Sequence, residues 1–274
     1  MALDSRGRVI VPRLTPAVRL REHGVPAEMA DDRPPPCKGG CFTSKGYSMV
    51  VNSVLVVAAH PDDEVLGCGA TMARHRAEGA RVTVLLLADG VGARDPVDRA
   101  RELAARQAAA RHACGELGVT DLSLLAYPDN RMDQVALLDI VQDIEKIIRT
   151  CQPDIVYTHH AGDVNIDHRR VHDAVVAACR PLPDFCVRQL LFFETPSSTE
   201  WRPAASFPPF APDWFVDVSD YLPQKLAALG AYGGEMRAFP HPRSAEAVTH
   251  LAGWRGASVG VAAAEAFELG RAII

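Results

Sequence analysis

The sequence predicts an α/β domain of three layers, a Rossmann-like arrangement in which a mostly parallel sheet lies between helices. Two observations carry this expectation. Two short runs, Val54 to Ala59, apolar at every position, and Val82 to Leu87, apolar but for Thr83, have the texture of strands buried on both faces, as in a parallel sheet covered by helices. Between and after these runs come stretches of helical length ended by glycine, so that strands and helices alternate along the chain.

Residues 1–48 are rich in Arg and Pro, contain Pro34-Pro35-Pro36, and keep no period of 2 or 3.6. They are expected to be an extension outside the core, leaving residues 49–274 as the functional domain. The run from Val54 is the expected first strand. Thr71 to Glu78 suits a helix that Gly79 ends, and Val82 to Leu87 a second strand, a unit whose crossover should be right-handed. A long helix is expected from Asp98 to Leu117, a strand over Leu122 to Ala126, and a helix over Val135 to Cys151 with Leu138, Val141, Ile144 and Ile148 on its inner face. Asp154 to Thr158 reads as another strand. After it, Asp167 is placed to cap a helix that carries His168 and His172 on one face and turns Val171, Val175 and Val176 to the core. Leu190 to Phe193 is a further apolar run. Ligands of such sheets bind beyond the carboxyl ends of the strands, so chemistry is expected in the residues that follow each strand.

Composition narrows the class of function. A chain of 274 residues that is 48% hydrophobic and 23% charged has enough apolar material for one large core. A formal net charge of −5 supplies no basic field for nucleic acid, so a small-molecule or glycan partner is expected, with a homo-oligomer compatible. No run is long enough to span a bilayer, and Met1 to Arg8 lead into no signal-like apolar block, which points to the cytoplasm. The seven cysteines are odd in number and scattered, as reduced thiols are, and Cys37 and Cys41 have no second pair to complete a four-thiolate metal site.

Two polar clusters stand at expected strand ends. His60-Pro61-Asp62-Asp63-Glu64 follows the first strand. A helix cap would use one of these acids, whereas three clustered carboxylates repel one another unless a cation neutralises them, and His with Asp is a normal pair of zinc ligands. The second cluster, His159 to His172, follows the strand that ends at Thr158 and includes Asn165, Asp167 and His168. Acidic clusters also hold magnesium in phosphohydrolases, but the histidines favour zinc. Gly67-Cys68-Gly69 is not read as a dinucleotide loop, because Met72 stands where a third glycine belongs and the preceding turn is acidic.

Ala59-His60-Pro61-Asp62-Asp63-Glu64, taken with Asn165-Ile166-Asp167-His168, closely resembles the LmbE-like, or PIG-L, family of zinc-dependent N-acetylsugar deacetylases, over a region from about Ser53 to the C-terminus. The resemblance implies one zinc ion per chain held by His60, Asp63 and His168, with His172 in reserve as the third ligand, and Asp62 as general base. Several family members carry His where this chain has Asn165, so the acid or oxyanion role needs another donor, for which His241 is the candidate. Asp167 is grouped with Asp62 and His241 as catalytic. Arg94, Asp129, Asn130, Arg131, Asn165, Glu194, Ser198 and Arg243, in polar segments after strands or near the C-terminus, are candidates for substrate contacts. The implied reaction is hydrolytic removal of the N-acetyl group from a GlcNAc-like amino sugar. A metal amidase acting on another sugar-linked amide, such as a thiol-sugar conjugate, and a non-catalytic glycan-binding module are the alternatives.

Overall fold

In β1 (Ser53–Ala58) every residue is buried, because both faces of the strand are covered. A computed structural model describes residues 51–92, 98–183 and 185–274, so the expectations for residues 1–48, with Cys37 and Cys41, and for Arg94 lie outside the described residues. Alternate side chains of β1 enter two separate cores. Val54, Val56 and Ala58 pack with Leu66 and Met72 of α1 (Asp63–Ala77) and Ala110 and Ala113 of α2 (Arg99–Glu116). Leu55 and Val57, with Ala59 just past the strand, pack with Ile140, Ile144 and Ile148 of α3 (Leu137–Cys151) and Val171 and Val175 of α4 (Ile166–Ala178). Full burial of each such aliphatic side chain is worth about 1.5–3 kcal/mol, so the two cores hold β1 from opposite sides.

The described residues build a seven-stranded sheet in the order β3-β2-β1-β4-β5-β7-β6. β2 (Arg81–Ala88), β3 (Asp121–Tyr127), β4 (Ile155–His159) and β5 (Gln189–Phe193) are parallel to β1. β6 (Trp214–Asp217) and β7 (Ala264–Ala272) add an antiparallel edge, with β7 between β5 and β6. α5 (Leu222–Ala231) and α6 (Ala245–Ala257) complete the C-terminal part. No helix among the described residues is long and apolar enough to cross a membrane.

Several expectations need correction. The first helix starts at Asp63 rather than Thr71. Gly67 and Gly69 disguise it, but a Cβ at Gly67 would stand 2.3 Å from the Phe193 ring, so glycine there serves close packing of the helix on the sheet. In α3, Leu138 is 62% exposed and Ile140 is buried instead. The inner face centres on Ile144, from which Leu138 lies about 120° around the helix. Val176 of α4 is likewise exposed, and Ala174 and Ala178 fill the inner face beside Val171 and Val175.

Candidate active site

β1 and β4 are neighbours in the sheet although about a hundred residues separate them, and the helices that follow them pack on opposite faces. The chain therefore diverges at their carboxyl ends and leaves a crevice, the switch point at which α/β sheets bind ligands. His60 to Glu64 enter it from β1, and the segment from His159 to His168 enters from β4.

Three donors converge there. His60 Nδ1 lies 3.0 Å from Asp63 Oδ2, His168 Nε2 lies 3.1 Å from the same oxygen, and the two nitrogens are 3.3 Å apart. One ligand atom from each of His60, Asp63 and His168 falls within 4.8 Å of the others, close enough to share one ion. Asp63 is fully buried, and its Oδ1 has no hydrogen-bond partner. A buried carboxylate with an unsatisfied oxygen is costly, and a cation held by Oδ2 and the two imidazole nitrogens would offset its charge. The donor set therefore fits a metal ion.

Each imidazole is steered from behind. His60 Nε2 is 3.0 Å from Asp167 Oδ2 and 3.2 Å from Asp129 Oδ1, and Asp167 also accepts the Asn130 and Met132 amides at 2.6 and 2.9 Å. A proton on Nε2 leaves Nδ1 free to accept, the orientation that a carboxylate behind a ligating histidine imposes. His168 Nδ1 is 3.2 Å from Asp163 Oδ2, and Asp163 also takes the Ser198 and Thr199 hydroxyls. The His159 ring stacks on His168 with centroids 4.0 Å apart. Burial lowers the pKa of both His60 and His168, but the surrounding carboxylates outweigh it; Asp63 and Asp163 carry His168 up to about 9. The same negative surround favours a cation.

Asp62 stands beside this set in a strained conformation, with φ 125° and ψ −28°. Such a backbone costs an L-residue on the order of 1–3 kcal/mol and persists only when its neighbours hold it. Asp62 occupies the N-cap position of α1 without its side chain making the cap bond; Oδ2 instead accepts Arg243 Nη1 at 2.7 Å. Burial pushes its pKa up to about 6, against the pull of Arg243 and with a further push from Asp63. Asp62, His60, Arg106, Asp129, Asn130, Asn165, Glu235 and Arg243 line a polar cavity of about 180 Å³.

The remaining expected residues separate into those that face this cavity and those that do not. Asp129, Asn130, Asn165 and Arg243 face it. Asp167 stands behind His60 rather than in the cavity, and it does not cap α4; Asn165 Oδ1 does, accepting the Asp167 amide at 2.8 Å, because the Asp167 carboxylate is turned to His60 and two loop amides. Ser198 supports Asp163. Glu194 makes a two-pronged ion pair with Arg255, 2.8 Å at each contact, and Arg131 is exposed; neither lines the cavity. His241 accepts the Arg243 amide at Nδ1 and meets Trp201 edge-on, so its loop sends the guanidinium to Asp62 rather than the imidazole. His172 pairs with the His159 carbonyl and lies outside the donor set. Arg106 and Glu235, joined in an ion pair, were not among the expected site residues. Neither carries a local signal: Arg106 is one of several arginines along α2, and Glu235 lies in a turn.

The family model for PIG-L, GlcNAc-PI de-N-acetylase, matches residues 55–179. An uncharacterized deacetylase of Escherichia coli, YaiS, is 34% identical over 183 residues, covering 64% of this chain and 88% of the relative. The 1D-myo-inositol 2-acetamido-2-deoxy-alpha-D-glucopyranoside deacetylase 1 of Saccharopolyspora erythraea is 29% identical over 238 residues, covering 67% and 78%. Among solved structures, GalB of Pseudomonas putida, a 4-carboxy-2-hydroxymuconate hydratase, superposes with a TM-score of 0.68 at 23% identity, covering 81% of this chain and 98% of the other. That likeness shows the fold alone, and a fold does not fix a reaction.

Proposed function

The chain belongs to the PIG-L family, and on that premise we propose that it is a zinc-dependent hydrolase that removes the N-acetyl group from a GlcNAc-like amino sugar. One observation carries the reading: a strained, buried carboxylate, Asp62, lies next to a convergent His60-Asp63-His168 donor set on the wall of a polar cavity. Two imidazoles and one carboxylate suit zinc and leave a coordination position open. The ion, when bound there, supplies the Lewis acidity that polarises the acetyl carbonyl and acidifies water.

The chain's own groups would do the rest. Asp62, whose pKa burial raises to about 6, takes a proton from the attacking water, whose oxygen bonds to the acetyl carbon. The same proton then passes to the sugar nitrogen as the C–N bond breaks, giving acetate and a free amine. Arg243 fixes the orientation of the Asp62 carboxylate and brings positive charge to the side where the oxyanion develops. Asp129, Asn130, Asn165, Arg106 and Glu235 present the directional donors and acceptors that a sugar requires. A second groove of about 290 Å³, between α2 and the end of α5, shares Gly90, Arg106 and Glu235 with the cavity and offers room for the group to which the sugar is linked.

Purified protein loaded with zinc and supplied with methyl N-acetylglucosaminide should release acetate and amine in equal amounts, and a chelator should stop it. Asp62→Asn should keep the metal and lose a factor of about 10²–10⁴ in kcat, the usual contribution of a positioned base. A normal rate in that variant would refute the assignment, and hydrolysis of other sugar-linked amides without N-acetyl sugars would replace deacetylation by a broader amidase activity.

A further inference from the structure

Asp62 is held in its unfavourable backbone conformation from a direction that has no part in the chemistry above. Its N–H donates to Glu64 Oε2 at 3.0 Å, and its carbonyl accepts the Val65 and Leu66 amides at 3.2 and 2.9 Å. Glu64 is fully buried, does not line the cavity, and is not in the metal-donor set. Its other oxygen, Oε1, accepts the Tyr232 hydroxyl at 2.6 Å, and Tyr232, 2% exposed, caps the C-terminal end of α5. A buried carboxylate with each oxygen on a separate partner has little freedom to move. The clamp therefore runs from α5, through Glu64, to the one amide whose placement sets the φ of Asp62.

We infer that Glu64 and Tyr232 are positioning residues that hold Asp62 at positive φ, so that its carboxylate is kept on the cavity wall beside His60. Neither belongs to the metal-donor set or lines the polar cavity beside it; Tyr232 borders only the neighbouring groove, with its hydroxyl turned to Glu64. The inference rests on Asp62 being the base proposed above, and its geometric part stands without any assay. Arg243 with Ser197 restrains the same residue at its side chain, with Arg243 Nε donating to Ser197 Oγ at 2.6 Å, but that contact leaves the backbone free to turn.

Tyr232→Phe removes one hydroxyl and preserves the packed ring. Its kcat should fall on the order of tenfold to a hundredfold, as expected when a catalytic group is displaced by about an ångström, while KM stays within about twofold and the metal content is unchanged. Glu64→Ala should lose as much or more. Glu64→Gln should recover most of the rate, because its amide oxygen can accept from Asp62 N–H while its NH2 donates to the Tyr232 oxygen. Crystal structures of the wild type and Tyr232→Phe supply the second readout: φ of Asp62 is expected to relax from 125° in the variant. The inference is overturned if Tyr232→Phe keeps both the wild-type kcat and the positive φ, or if its rate falls only in proportion to lost metal. Should the wild type hydrolyse no N-acetyl sugar, the functional proposal fails, and the φ of Asp62 in the two crystal structures alone decides this one.

Discussion

The parallel half of the molecule and its C-terminal part contribute to the site in different ways. From β1 to α4 the chain supplies the candidate metal donors: His60 and Asp63 just after β1, and His168 in the first turn of α4, the helix that follows β4. The part that follows β5 supplies no donor to that set but reaches Asp62 twice, through Tyr232 by way of Glu64 and through Arg243. The matched family region, residues 55–179, covers the first contribution and ends before the second. On the proposed assignment, the candidate metal donors and the groups that reach Asp62 from outside, Tyr232 and Arg243, belong to different stretches of chain.

The largest expected effect falls on the parallel half. His168→Ala leaves Asp63 and Asp163 buried without their shared imidazole; it should abolish metal retention and, since breaking a buried charge pair costs about 3–5 kcal/mol, lower stability by that order. Metal analysis and urea denaturation measure the two losses, and full zinc occupancy in this variant would break the comparison. Arg243→Gln tests the other part: metal content should stay at the wild-type level while kcat drops about tenfold or more, the scale of lost charge-assisted positioning. Loss of metal in that variant would mean that the two contributions are not separable.

Away from the crevice, His75 links α1 to β4 through its 2.9 Å contact with the Tyr157 hydroxyl, and burial lowers its pKa to about 4. Its folded pKa lies below the unfolded value near 6.5, so the unfolded state binds the proton first. Stability from this group is complete above pH 6.5 and declines as pH falls toward 4, by up to about 3 kcal/mol. Urea midpoints at pH 7 and 4.5 should differ less in His75→Gln than in the wild type; equal differences would remove His75 as the cause. The smallest effect is expected from Leu138→Ala, within about 0.5 kcal/mol because the side chain faces solvent, against about 2–5 kcal/mol for Ile144→Ala further along α3.

The alternation of strands and helices and the two ligand-bearing clusters were legible in the amino-acid sequence, because both are recorded over short distances. A strand buried on both faces must be apolar at every position, as Val54 to Ala59 is, and a motif that leaves its strand end can be placed without knowing what lies opposite. The start of α1 was hidden because Gly67 and Gly69, the first required by the close approach of the Phe193 ring, look like loop residues until that ring is in place. Which polar side chains face the cavity was decided only by the tertiary structure. Arg106, Glu235 and Tyr232 are brought to Asp62 from far along the chain, and Glu194 is withdrawn by Arg255, through packing of α2, α5 and α6 that leaves no periodic mark in the sequence. Local pattern records whether a residue is buried; only the fold settles which partner it is buried against.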